Sequence, residues 1–343
     1  MVDSGPYLSF VVTSRNDNHG DRLLERMQTF VNCLLDQCRR YRLPAELIIV
    51  EWNPPADRSP LAAAVSWESE NGYCPVRIVQ VPPQIHNRFP YSDKLPLFQM
   101  IAKNAGIRRA RAPFVLATNV DILFSEELIA FLASRRLENR FMYRVDRCDV
   151  PADLPTEMAV PPLLDFCRNS VTRVYTRWGS RDARTGKYDE GSVTWKTFVH
   201  DALVVLSGDV GEKRLHTNAS GDFTLLSKAN WFKIRGYPEL HTLAMHIDGL
   251  GCQIAYFSGV KQRILANPKQ IYHIEHSTGT GWVPEGDGAL MASINSAGIP
   301  KLDYERFKEL AIRMRKERRP IIMNDEGWGL ANEQLHETTI EPK

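Results

Sequence analysis

Four strand-length runs near the N-terminus read as buried, and each is followed by a segment long enough for a helix or a compact turn. They are Tyr7-Leu8-Ser9-Phe10-Val11-Val12, Glu46-Leu47-Ile48-Ile49-Val50-Glu51, Val76-Arg77-Ile78-Val79-Gln80-Val81 and Phe114-Val115-Leu116-Ala117. Between the first two, Asp21 to Tyr41 carries Leu23, Leu24, Met27, Phe30, Val31, Leu34, Leu35 and Cys38 at the spacing of one helical face. A short helix is expected over Leu61 to Trp67 and a longer one over Leu95 to Ala110. Strands without polar alternation, interleaved with helices, imply an α/β fold whose mostly parallel sheet is covered on both faces. Ligands of such sheets bind beyond the carboxyl ends of the strands. Three of those ends are polar: Thr13 to Asp17, Glu51 to Asn53, and Asn119 to Asp121.

The second half is less regular. Phe141 to Val145 is strand-like, and Asp146 to Asp201, rich in Pro, Arg, Asp and Gly, predicts loops and short elements. Order returns at Gly221 to Leu240, His246 to Gly259 and Ile271 to Trp282, and a basic helix is expected near Tyr304 to Arg318.

Composition excludes several classes. A net charge of +2 in 343 residues gives no bulk argument for a nucleic-acid partner. The six cysteines have no CxxC or zinc spacing, so reduced, core-filling thiols and a cytoplasmic setting are expected. The N-terminal residues do not read as a signal peptide, and no stretch reaches the roughly 20 apolar residues of a membrane span. There is no GxGxxG after the first strand, no Walker GxxxxGK[ST] and no GxSxG, which argues against Rossmann dehydrogenases, P-loop NTPases and α/β-hydrolases.

Several residues have chemistry to offer. If the strand continues, Asn119 and Asp121 lie on one side and offer an amide oxygen and a carboxylate to a hard cation such as Mn²⁺ or Mg²⁺. The alternative is turn capping, although Ser125 already supplies an N-cap. In Tyr272-His273-Ile274-Glu275-His276, a straight strand puts His273 and Glu275 on one face, whereas a bend lets either histidine bind metal. Packing in the core is the simpler role for each. Asp248, at the start of the apolar run from His246, is either a helix-terminal carboxylate or a general base, and Asp222 has the same two readings. Lys103 and Asn104 read as helix-surface polar residues. Trp231, Trp282 and Trp328 read as core or as platforms for sugar rings. Arg313 to Arg319 reads as a solvated helix face or as a contact with anionic lipid or polysaccharide.

In this order the stretches resemble a GT-A-fold glycosyltransferase, of the large inverting family-two type and its bacterial surface-polysaccharide relatives. "LSFVVTSRND" is similar to that family's opening strand and base-binding loop, and "LIIVEWNPP" to its second strand, with Glu51 as the acidic nucleoside contact. "KNAGIRRARAPFVLATNVD" is similar to the [R/K]NxGxxxAxGxxxxxxDxD segment: Lys103, Asn104 and Gly106 match, and Asn119-Val120-Asp121 stands at DxD. "GDFTLLSKANWFKIRGYPE" resembles the stretch before the catalytic acid, and "HIDGLGCQIAYFSG" the helix that carries it. His-Ile-Asp replaces Glu-Asp there, and Asn119 replaces an acidic residue. The likeness covers residues 7 to 130 and 215 to 282; Asp146 to Asp201 has no counterpart.

The resemblance implies one GT-A domain: residues 1–130 as the nucleotide-sugar-binding half, 131–290 as the acceptor-binding and catalytic half, and 291–343 as a C-terminal helical extension and tail. It implies a nucleotide-diphosphate sugar donor, a glycan or lipid-linked glycan acceptor, and Mn²⁺ or Mg²⁺. Asp121 with His273 or His276 would hold the metal, joined by Asn119. Asp248 would be the base, with Asp222 as a second catalytic candidate. Thr13, Arg15, Asp17 and Glu51 would fix the nucleoside, and Arg88, Lys103 and Asn104 the diphosphate side. A peripheral location at the inner face of a membrane fits such an acceptor. The departures at Asn119 and His246 keep open a non-catalytic binding subunit, and a nucleotide-sugar hydrolase could use the same residues.

Overall fold

All four N-terminal runs are strands in the computed structural model, which describes residues 5–18, 20–67, 72–189, 215–276 and 298–340. The N-terminal elements are β1 (Leu8–Ser14), α1 (Leu23–Arg40), β2 (Ala45–Trp52), α2 (Leu61–Ala64), β3 (Val76–Val81), α3 (Pro83–His86), α4 (Gln99–Arg109) and β4 (Phe114–Ala117). Next come β5 (Ile122–Phe124), α5 (Glu126–Ala133), β6 (Phe141–Val150), α6 (Val160–Asn169), β7 (Arg173–Thr176) and β8 (Gly179–Asp182). The last described elements are β9 (Thr224–Ser227), α7 (Lys228–Ile234), α8 (Ile247–Phe257), β10 (Lys261–Ile274), α9 (Tyr304–Glu317) and β11 (His336–Ile340).

One sheet runs β11-β3-β2-β1-β4-β9-β6-β10-β5, with β7 and β8 branching from β6. The β3-β2-β1-β4 block is parallel. Beyond it, β9 is antiparallel to both β4 and β6, and β6 pairs in parallel with β10. Alternate strand residues feed two cores. Phe10, Val12, Leu47 and Ile49 join α1, α5 and α6 on one face, while Val11, Ile48, Val50 and Trp52 join α4, α7, α8 and α9 on the other. This is the α/β architecture expected of unalternating strands.

The residues 146–182 are more ordered than their composition suggests. β6 continues to Val150, and α6 opens on prolines 161 and 162 in its first turn, where the missing N–H costs no helical hydrogen bond. Prolines read as loop formers thus start a helix. Residues 190–214 lie outside the described residues, as do Trp282 and the glycine-rich loop Gly279-Thr280-Gly281. α4 starts at Gln99 rather than Leu95, after Pro96.

The C-terminal segment carries the expected helix, α9, and its tail then returns to the sheet. β11 adds antiparallel to β3 at the sheet edge. Arg77 clamps it there, with Glu46 at 2.7 Å and Glu337 at 2.6 Å. Upstream of β11, Arg109 of α4 donates to the carbonyls of Gly329, Leu330 and Glu333. All six cysteines are free and buried. Among the described residues no helix is long and apolar enough to cross a membrane.

α4 lies directly on the sheet because Gly106 has no side chain. A Cβ there would come within 2.5 Å of Val11 Cγ1 and 3.0 Å of Val50 Cγ2. Both contacts are stiff β-branched side chains in central strands, so they cannot swing aside. Gly106→Ala should therefore cost about 1–3 kcal/mol by overpacking, despite alanine's better helix propensity. A urea midpoint equal to or above that of the wild type would show that α4 can lift without penalty.

Candidate functional site

β4 stops at Ala117, so Asn119 and Asp121 follow no strand alternation and point to different partners. The Asn119 amide donates to Asp222 Oδ1 at 2.6 Å, and its oxygen accepts from Gln99 Nε2 at 3.1 Å. Asn119 thus has both ends of its amide engaged by Asp222 and Gln99.

Asp121 instead meets both histidines. β10 lies between β6 and β5, with His273 in register with Asp149 on one side and Ile122 on the other. The Ile274 N–H donates to the Asp121 carbonyl at 3.0 Å, at the point where β10 ends. The chain then bends, the second of the two arrangements considered for this stretch, and His276 turns to the same carboxylate. His276 Nε2 is 3.2 Å and His273 Nε2 is 3.8 Å from Asp121 Oδ2. One donor atom from each of the three residues lies within 4.8 Å of the others. Glu275 points away and accepts from Thr172 Oγ1.

Asp121 Oδ1 is buried without a hydrogen-bond partner, which is costly for a carboxylate oxygen. Burial would raise this carboxyl, but the His276 hydrogen bond and the charges of His273 and Arg26 hold it well below its ordinary value. One carboxylate and two imidazoles facing one another, with an orphaned oxygen among them, fit a divalent cation. Imidazole nitrogens favour Mn²⁺ or a later transition metal over Mg²⁺, so this donor set narrows the expected pair of cations.

The surroundings of this cluster involve residues that the sequence reading missed. Asp149 Oδ1 is 3.2 Å from His273 Nδ1 and orients the ring from behind. Arg147, two residues earlier on β6, binds both Asp149 oxygens and reaches Asp222 Oδ2 at 2.7 Å. Its guanidinium lies 4.1 Å from the centre of the Tyr175 ring. The alternation Arg147-Cys148-Asp149 was the available signal, but nothing local said that β6 would lie beside β10. Gly20, at φ 69°, lets the β1–α1 loop close against His276, where a Cβ would come within 2.7 Å of Nδ1.

Asp222, expected as a catalytic candidate, has both oxygens engaged by Asn119 and Arg147. Asp248 is different. It sits in the first turn of α8, and its Oδ2 accepts both from Ser220 Oγ at 2.8 Å and from the Gly221 N–H at 2.6 Å. The carboxylate is half-buried, and its orientation is set through one oxygen. Beneath the same turn, Lys103 is fully buried and donates to the Gly221 carbonyl at 2.6 Å. It is not the surface residue that its helix position suggested.

Other expected site residues have structural partners. Asn104 is buried and clamps the backbone of Tyr237 from α4, with a further bond to Glu239. Glu51 accepts from the Leu61 N–H at 2.8 Å and from Gln80 at 3.3 Å, and burial raises its carboxyl. Thr13 lies inside β1, its hydroxyl on the Val50 carbonyl, and Arg15 pairs with Asp17 at 3.3 Å. These four are still near the carboxyl ends of β1 and β2. Arg88 is exposed and paired with Glu333 of the tail. Trp231 and Trp328 are core residues.

No protein-family model and no curated protein sequence matches the chain. Among solved structures, the chain is similar to the catalytic domain of Drosophila beta1,4galactosyltransferase 7, crystallised in complex with xylobiose. The identity is 9%, 78% of this chain and 71% of that chain are covered, and the TM-score is 0.38.

Lys103 gives this side of the site a pH signature. Burial pushes its ammonium down from 10.5 to about 8, against the pull of Asp222, Asp248 and Asp121. Between those two values the unfolded chain holds the proton and the folded chain does not, so this group makes stability rise with pH across that window. Lys103→Met should remove that rise. Urea midpoints at several pH values from 7 to 11 measure it, and parallel profiles for the two proteins would refute the assignment.

Proposed function

We propose that this protein is a metal-dependent glycosyltransferase that moves a sugar from a nucleotide-diphosphate donor to a hydroxyl of a glycan or lipid-linked glycan. The observation that carries the reading is the buried Asp121 carboxylate, one oxygen orphaned, beside two histidines at the carboxyl end of a doubly covered sheet. The ordered resemblance of the strand-end motifs to GT-A glycosyltransferases supports it independently.

Asp121, His273 and His276 would hold the cation, whose charge stabilises the departing diphosphate. Asp149 orients His273, and Gly20 leaves room for His276. Thr13, Arg15, Asp17 and Glu51, near the ends of β1 and β2, are on the side proposed for the nucleoside. Asp248 is the proposed general base. With Oδ2 held by Ser220 and Gly221, Oδ1 takes the proton of the acceptor hydroxyl while that oxygen bonds to the anomeric carbon. The bond from that carbon to the diphosphate breaks on the opposite side, which inverts the configuration.

Thermal unfolding with UDP, GDP, CDP, CMP and ADP, each with and without Mn²⁺, tests the donor side. A nucleotide at about a hundred times its dissociation constant adds about 2.7 kcal/mol of stability. One nucleoside diphosphate should stabilise the protein only with Mn²⁺, and Asp121→Ala should abolish that shift while remaining folded. Asp248→Asn should keep the shift and lose sugar transfer. Metal-independent responses, or none from any nucleotide, would reject the reading. Sugar release unaffected by any acceptor would identify a hydrolase instead.

A further inference from the structure

The N-terminus of α8 is built around a residue that does not cap it. His246 occupies the N-cap position at φ 61° and ψ −5°, and its side chain makes no capping hydrogen bond. Asn or Asp tolerates this left-handed conformation and caps far better. The His246 ring turns instead toward α9. It stacks with Phe307 at a centroid distance of 5.8 Å and a tilt of 30°, and lies 5.8 Å from Tyr304. Tyr304 and Phe307, one helical turn apart, stack at 6.2 Å and 23°.

This cluster adjoins Asp248. Phe307 lies over Gly249, where a Cβ would come within 3.6 Å of the ring. Unlike the buried tryptophans, the cluster is open: Tyr304 is 56% exposed, and Phe307 and His246 are partly so. The Lys308 ammonium, which donates to Glu305 at 2.9 Å, lies over the Tyr304 ring, 5.1 Å from its centre. α9 is anchored along the same face, where Leu310 and Met314, one and two turns beyond Phe307, enter the core, so the rings sit on a fixed element.

Flat rings beside a carboxylate suit a ligand with an apolar face and hydroxyl edges. A pyranose ring has both: its axial C–H bonds stack on aromatic faces, and its hydroxyls project sideways. We propose that His246, Tyr304 and Phe307 form the acceptor subsite, a stacking floor for the pyranose ring that presents its hydroxyl to Asp248. This rests on the glycosyltransferase reading and adds to it the residues that would hold the acceptor ring.

Saturation-transfer NMR on the full chain with Mn²⁺ and the stabilising nucleoside diphosphate tests the subsite. The probes are the methyl β-pyranosides of glucose, galactose, mannose and xylose, and hexyl β-glucopyranoside. At least one pyranoside should receive saturation on its ring C–H protons. Tyr304→Ala and His246→Asn should each lower that signal at least fivefold. His246→Asn tolerates the same left-handed backbone conformation, so it isolates loss of the ring from loss of the fold. Both variants should keep the nucleotide-dependent thermal shift of the wild type. No ring saturation in the wild type, undiminished signal in both variants, or saturation confined to the hexyl chain would overturn the subsite while an intact nucleotide shift leaves the donor reading standing. Loss of the wild-type nucleotide shift would instead reject the glycosyltransferase reading, and the subsite with it.

Discussion

A sheet buried on both faces has no lateral surface on which to display polar chemistry. In this protein α1, α5 and α6 cover one face, and α4, α7, α8 and α9 the other. Polar side chains on the strands must therefore lie at strand ends or be paired inside. Both solutions are used. Glu46 and Arg77 are paired deep in the sheet, together with the edge strand β11. Asp121, Asp149, Asp222 and His273 gather where the strands end, and that confinement makes this end the candidate site.

Within it, Arg147 is the joint. It bridges Asp149, which backs His273, to Asp222, which holds Asn119. One buried cation thus ties the β10 side of the site to the turn that positions Asp248. Desolvating such a group is expensive unless every partner is present, so the arrangement has little room to drift. Lys103 plays a similar part from below, holding the Gly221 carbonyl while Asp248 holds its N–H.

Much of the architecture was legible locally. The period of α1, the runs of β3 and β4, and the Ser125 N-cap can be read from neighbours in the chain. Asp121 and the two histidines were legible as residue types suited to metal, and the bend after Ile274 as one of two options. The misreadings share a cause. Asn119 was assigned by strand alternation, but the strand had already ended. Asn104 was read as a surface residue, whereas the tail and the Tyr237 turn bury it. Asp222 was left with two readings because its partner, Arg147, is 75 residues away in sequence.

The amino-acid sequence by itself determined the class of sheet, the approximate elements and the residue types at the strand ends, because periodicity and turn chemistry act over a few residues. Tertiary structure decided which of those residues meet. Placing β10 between β6 and β5 puts His273 beside Asp149 and close to Asp121, and folding α9 against α8 puts Tyr304 and Phe307 beside His246. Those juxtapositions join positions more than a hundred residues apart in the first case and about sixty in the second. No local pattern encodes them: strand order and helix docking are chosen by burial of whole faces, and the site is what that choice leaves at the sheet's end.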